Sequence, residues 1–442
     1  MSSSRWAGLL AAVALVGGGC APASSGARTA PTSVAVRTAP TAVVVRTAPT
    51  AVVAPVPSDL VVVQTGQGLA AFDWATRRTV YQTSNAVPTS DWSQLVVSDQ
   101  NGGRATLNVL DGHTGVQKHT IQVPGGLVPA AFSTDGRRVA LAPADGDNPW
   151  QPTGREHTQI VVADPTGAVE PRTYDLRGNY APDAFASDDQ HLFVLEYQPP
   201  MAPDRYRVRS LDLKTGAVSG VGSRSKTAVP EETMRGTRRA SVLSPDRHVL
   251  FTLYTNQPEH LHSRDLAAGL TQSSGDVYAF VHVLNLTEGW AYCLDLPQPF
   301  GQGPASAHAL ALSADGQRLY VTDRSSGKIA VADTNLLTIR TVADVGADAA
   351  ANTFSAATGV GLSGSLFLTS ASELLVVDAG TLKVQRRLPL PATPTGLGVS
   401  PDGRRLFIST ADRVLAIDPV SGVELAGLEA AGAKRIEHVG TL

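Results

Sequence analysis

Two histidines one residue apart, His260 and His262, have a spacing that metal sites use, but no third or fourth ligand is identifiable near them. Adjacent acids occur at Glu231-Glu232 and Asp188-Asp189, where general acid–base chemistry would want a pair. Neighbouring acids in loops are ordinarily solvated, so neither pair marks an active site. Arg235, Arg238 and Arg239 form a basic cluster that suits an anion or an acidic partner, with a solvated loop as the competing reading. No glycine-rich phosphate cradle and no nucleophile elbow is present. The residues alone therefore give no catalytic group, no metal and no cofactor.

Composition narrows the classes further. The 442 residues are 43% hydrophobic and 17% charged, with a net charge of −3 and the signs interspersed, which argues against nucleic acid as a partner. There are two cysteines, Cys20 and Cys293, too few for a disulfide framework. Cys293 lies with Trp290 and Tyr292 in a segment that reads as outer-strand packing, so a small buried apolar role is expected of it.

What must position any site is a repeat. Its last copy spans Gly396 to Leu428 and reads as four short strands: Gly396–Val399, Leu406–Ser409, Val414–Ile417 and Val423–Leu428. Ser-Pro-Asp-Gly and Asp-Pro-Val-Ser-Gly connect them, turns in which Asp bonds an amide two residues on and Gly takes positive φ. Aligned on the residue that closes each third strand, the copies give Asp73, Asp111, Asp164, Asp212, Asn285, Asp333, Asp378 and Asp418. Upstream, the first turn recurs as STDG (133–136), SDDQ (187–190), SPDR (244–247), SADG (313–316) and SPDG (400–403). An almost wholly apolar strand follows each, as in RVALA (138–142) and RLFIS (405–409). Continuous apolar runs imply sheets covered on both faces.

RLYVTD (318–323) after SADG, and SPDG-RRLFIS with VLAID behind it, resemble the YVTN-type repeat of β-propellers, akin to WD-repeat and lactonase-like rings. That resemblance covers residues 59–442 and implies an all-β, closed propeller of four-stranded antiparallel blades. The repeat count is eight, with seven the alternative. The first copy (59–87) lacks its first strand, and the tail from Ala433 to Leu442 has the length to supply it. Closure in this way removes exposed sheet edges.

Long second-to-third-strand loops at Pro143–Glu156, Glu196–Arg205 and Tyr254–Asp276 share one face with the interblade loops Gly222–Arg239 and Pro297–Ala307. Long loops on a rigid scaffold are where binding residues gather. The candidate rim is Trp150, Tyr197, Tyr206, Arg235, His260, His262, Arg264 and Asp265.

The amino terminus reads as an address. Residues 1–19 carry Arg5, an apolar run from Trp6 to Val16 and three glycines, a secretory layout too short to span a bilayer. Small residues directly before Cys20 resemble the bacterial lipoprotein cleavage box, which implies lipidation of Cys20 and a membrane surface as partner. Residues 20–58 hold a nonapeptide three times, RTAPTSVAV, RTAPTAVVV and RTAPTAVVA, whose regular prolines favour an extended tether. The expected function is an exported, lipid-anchored, non-enzymatic platform that binds a protein or small molecule. The alternative is a propeller enzyme, lactonase-like or quinoprotein-like, with its site at the axial mouth.

Overall fold

The computed structural model describes residues 58–84, 86–144, 152–224, 233–255, 277–353, 356–362 and 364–442. Cys20, the tether, Trp150, Glu231, Glu232, His260, His262, Arg264 and Asp265 lie outside the described residues.

The described residues form eight separate four-stranded antiparallel sheets, the blades of a propeller. The innermost strands of neighbouring blades run beside one another around a common axis. Blade eight has strands Gly396–Val399, Leu406–Ser409, Arg413–Ile417 and Glu424–Glu429, each within a residue of its sequence-based limits. Blade one is assembled from both ends of the propeller: its innermost strand is Arg435–Thr441, followed by Asp59–Thr65, Gly68–Asp73 and Arg78–Thr83. Asp59 pairs with Thr441 and Val61 with Val439, and the Leu442 amide donates to the Ser58 carbonyl at 2.8 Å. Arg405 of blade eight reaches the Asp59 carboxylate at 2.8 Å, tying the closing blade to its neighbour.

Burial explains why single blades cannot stand alone. In Asp59–Thr65 and Gly68–Asp73 both faces are covered, with Val61, Val62 and Val63 fully buried. The outer strand Thr338–Asp344 is largely exposed. The apolar clusters each straddle two blades; Val61, Val63 and Phe72 meet Phe407 and Val414 across the closing seam, while Leu60 and Val62 turn the other way towards Leu95. Every seam of the ring has such a cluster, so the hydrophobic stabilisation belongs to pairs of blades.

The turns show the expected chemistry in detail. Each of Asp73, Asp111, Asp164, Asp212, Asn285, Asp333, Asp378 and Asp418 accepts from a backbone amide two residues on, as in Thr166 to Asp164 at 2.8 Å. In the first turns Ser133, Ser244, Ser313 and Ser400 donate to Asp135, Asp246, Asp315 and Asp402. Two corrections follow. In blade four the turn frame is Ala186 to Asp189, one residue earlier than SDDQ, because Asp189 with φ of 54° holds the glycine position. The Glu196–Arg205 connection is also shorter than expected: strands run to Gln198 and resume at Arg205, zipped by Gln198–Arg205 pairing.

Candidate functional site at the axial mouth

The innermost strands begin on the face of the interblade loops, and their first residues surround a cavity of about 480 Å³. Arg238, Arg239 and Ser241 come from blade five, Leu310 from blade six, Thr358 from blade seven, Gly396 and Leu397 from blade eight, and Arg435 and Glu437 from blade one. Glycine lets blades eight and one approach closely beside this space. A side chain at Gly396 would collide with the Arg435–Ile436 backbone, 2.5 Å from the Ile436 nitrogen.

Three of the charged groups, Arg239, Asp183 and Glu437, are delivered by β-bulges, while Arg238 and Arg435 sit in regular pairs. Arg238 pairs with Tyr254 and Ala240 with Leu253, leaving Arg239 as the extra residue. Asp183 is the extra residue of blade four, between Pro182 and Ala184, and Glu437 that of blade one, between Ile436 and His438. A bulge breaks the two-residue alternation and re-aims a side chain, which is how strands otherwise facing blade seams present charge to the axis.

Each group has a defined partner. Arg238 Nη1 lies 3.1 Å from Asp183 Oδ1, and the Asp183 side chain is 5% exposed. Burial alone would lower the Arg238 pKa, but Asp183, with Tyr254, Tyr197 and Tyr206, holds it above the usual range. Arg239 donates through Nε to the His308 carbonyl (2.9 Å) and through Nη2 to the Ala356 carbonyl (3.0 Å), bridging blades six and seven. Desolvation and then the charge of Arg435 lower its pKa. Arg435 Nε donates to Glu437.

His308 stands at the same mouth but is wholly buried. Its Nε2 accepts the Gly301 amide at 2.9 Å, so the proton sits on Nδ1 and donates to the Pro304 carbonyl at 3.0 Å. Burial holds its pKa down. With both nitrogens engaged, the ring locks the preceding interblade loop and is not offered to a ligand.

The rim residues within the described chain are placed differently from the sequence-based expectation. Tyr206 is 7% exposed, a correction to its place on the rim. It lies in the seam of blades four and five, ring to ring with Tyr197 (6.2 Å) and Tyr254 (5.2 Å). The linker covers it, since Tyr206 and Met234 exchange backbone hydrogen bonds. Tyr197 is half-buried in the same row, and Arg235 lies 3.6 Å from Asp204 at the loop edge. Of the basic cluster, Arg238 and Arg239 face the cavity and Arg235 does not line it. Asp183, Arg435 and Glu437 were missed; the one signal was a charge interrupting an otherwise apolar first strand, as in YAPDAF (180–185).

A wider cavity of about 640 Å³ lies on the turn side between blades three and four. Its arginines serve that seam, Arg138 bonding the Asp189 carbonyl (2.6 Å) and Arg172 those of Leu213 (2.6 Å) and Lys214 (2.7 Å). Among the described residues no group of three or more His, Cys, Asp or Glu is placed to hold a metal.

Beneath the axial arginines sits His282, 5% exposed and cross-strand from Cys293. Burial, only partly opposed by Asp183, lowers its pKa to about 4. The unfolded state binds its proton near pH 6.5, so this stabilisation is complete above pH 6.5 and drains away towards pH 4. The loss reaches about 3 kcal/mol. Urea midpoints of His282→Gln should therefore show a shallower decline from pH 7 to 4.5 than the parent; parallel declines would refute the assignment.

No family model and no curated protein matches the chain. Solved structures do. The dihydro-heme d1 dehydrogenase NirN, in complex with DHE, superposes with a TM-score of 0.52 at 15% identity over 86% of this chain and 74% of that one. Apo AztD from Citrobacter koseri gives 0.52 at 10% identity over 88% and 98%. At such identities the likeness is one of fold: the chain is an eight-bladed β-propeller.

Proposed function

We propose that this protein is an exported lipoprotein, held through Cys20 and its proline-punctuated tether, whose YVTN-like propeller binds a ligand or protein at the axial mouth without transforming it. The bulge-delivered charges at a cavity of about 480 Å³ carry this reading, for they give recognition chemistry on a rigid wall. Arg238 and Arg239 are fastened by Asp183 and by strand carbonyls, an arrangement suited to holding and not to proton transfer. Structural neighbours include an enzyme and AztD, so the fold itself favours neither reading. Saturable binding by the full chain with no consumption of the bound molecule is the expected result. Turnover of lactones or amines would overturn it.

The anchor is tested separately. Cys20→Ser should shift the protein from the membrane fraction to the soluble one by immunoblot. Equal membrane association of both forms would rule out lipidation at this position.

A further inference from the structure

Resting on the axial-mouth reading, we propose that the ligand is a small oxyanion-bearing molecule, a carboxylate or phosphate, gripped between Arg239 and Arg435. Arg239 projects from a bulge in blade five, and its guanidinium is aimed by the His308 and Ala356 carbonyls. Arg435 enters from blade one on the other wall of the same cavity. The two cations are close enough that the charge of Arg435 disfavours that of Arg239, a repulsion that a bridging anion would relieve. Glu437 opposes an anion, but it is already engaged by Arg435, and Asp183 likewise by Arg238. With Asp183 counted beside the lining residues, three arginines face two carboxylates, which leaves the site one net positive charge. The hydroxyls of Ser241 and Thr358, shared with Thr252 and Thr322, stand beside them on the same wall. Guanidinium pairs read planar or tetrahedral oxyanions by bidentate bonds, which sets the chemical class without choosing between carboxylate and phosphate.

Calorimetric titration of the full chain in detergent, with citrate, succinate and inorganic phosphate at matched ionic strength, tests this. Saturable one-to-one binding of at least one anion is expected, and which of them binds separates a carboxylate from a phosphate source. Arg435→Gln, at a side chain 63% exposed and so safe for folding, should weaken binding about tenfold or more. Arg239→Lys should weaken it too, because a point charge loses the forked geometry. Arg137→Gln, 86% exposed on the turn side, removes the same charge and should change nothing. Absence of saturation by all three anions, or unaltered affinity in Arg435→Gln, overturns the anion assignment. Saturable binding of a neutral molecule in that case would leave the platform itself standing, whereas turnover would remove both.

Discussion

Ending the chain at Lys434 should leave a protein with no cooperative unfolding transition near that of the parent. The deletion removes Arg435–Thr441, the innermost strand of blade one, and with it the pairing of Asp59 through Gln64. Ile436 and Val439 leave the closing cluster, and Val61 and Val63, fully buried in the intact ring, lose cover on that side. Burial of a few aliphatic side chains contributes on the order of 5 kcal/mol. That is comparable to the whole stability of many domains. The bared edge of Asp59–Thr65 would in addition seek another strand, so aggregation should accompany the loss. Thermal melts with light scattering check this. A synthetic peptide spanning residues 435–442 should partly restore the transition, and an unchanged melt in the truncated form would mean that the ring does not depend on its clasp.

Asp183→Ala should cost about 3 kcal/mol, the low end for breaking a buried pair, because Arg238 keeps 37% of its side chain exposed. The contact is an ion pair at 3.1 Å without the alignment of a directed hydrogen bond, so its worth lies in charge compensation. Removing the carboxylate takes the counter-charge from a guanidinium whose Nη2 then keeps the neutral Ser241 hydroxyl as acceptor. Pairing Asp183→Leu with Arg238→Met should recover most of the loss, since an apolar pair of similar size needs no counter-charge. Denaturant midpoints for the two single variants and the double close the cycle. Strict additivity would show that the two side chains do not communicate.

The ring was legible in the sequence because its signals are local. SPDG and DPVSG turns fix strand ends within a residue, and the tail's length announced the closing strand. The turn at Thr89–Trp92 escaped notice because Trp92, with φ of 60°, stands where blades three, six and eight have Gly136, Gly316 and Gly403. The first strands were faint: Ala86–Pro88 and Thr358–Val360 have three residues each, too few for a period to show. The mouth was hidden for a related reason. Arg238 and Arg239 fell inside an apparent loop because their strand begins only at Thr237, and a bulge then reverses the facing of every residue before it. Arg435 and Glu437 lay in a tail expected to serve closure alone, while their cavity partners come from blades far away in the chain.

The clasp also determines how the ring would bear a mechanical load. Asp59–Thr65 and Arg435–Thr441 run antiparallel, with Ser58 beside Leu442. Tension arriving along the chain at Ser58 and drawing along the strand would slide the two past each other, loading their hydrogen bonds together in shear instead of peeling them in turn. The joint that closes the ring is thus oriented to resist pulling at Ser58.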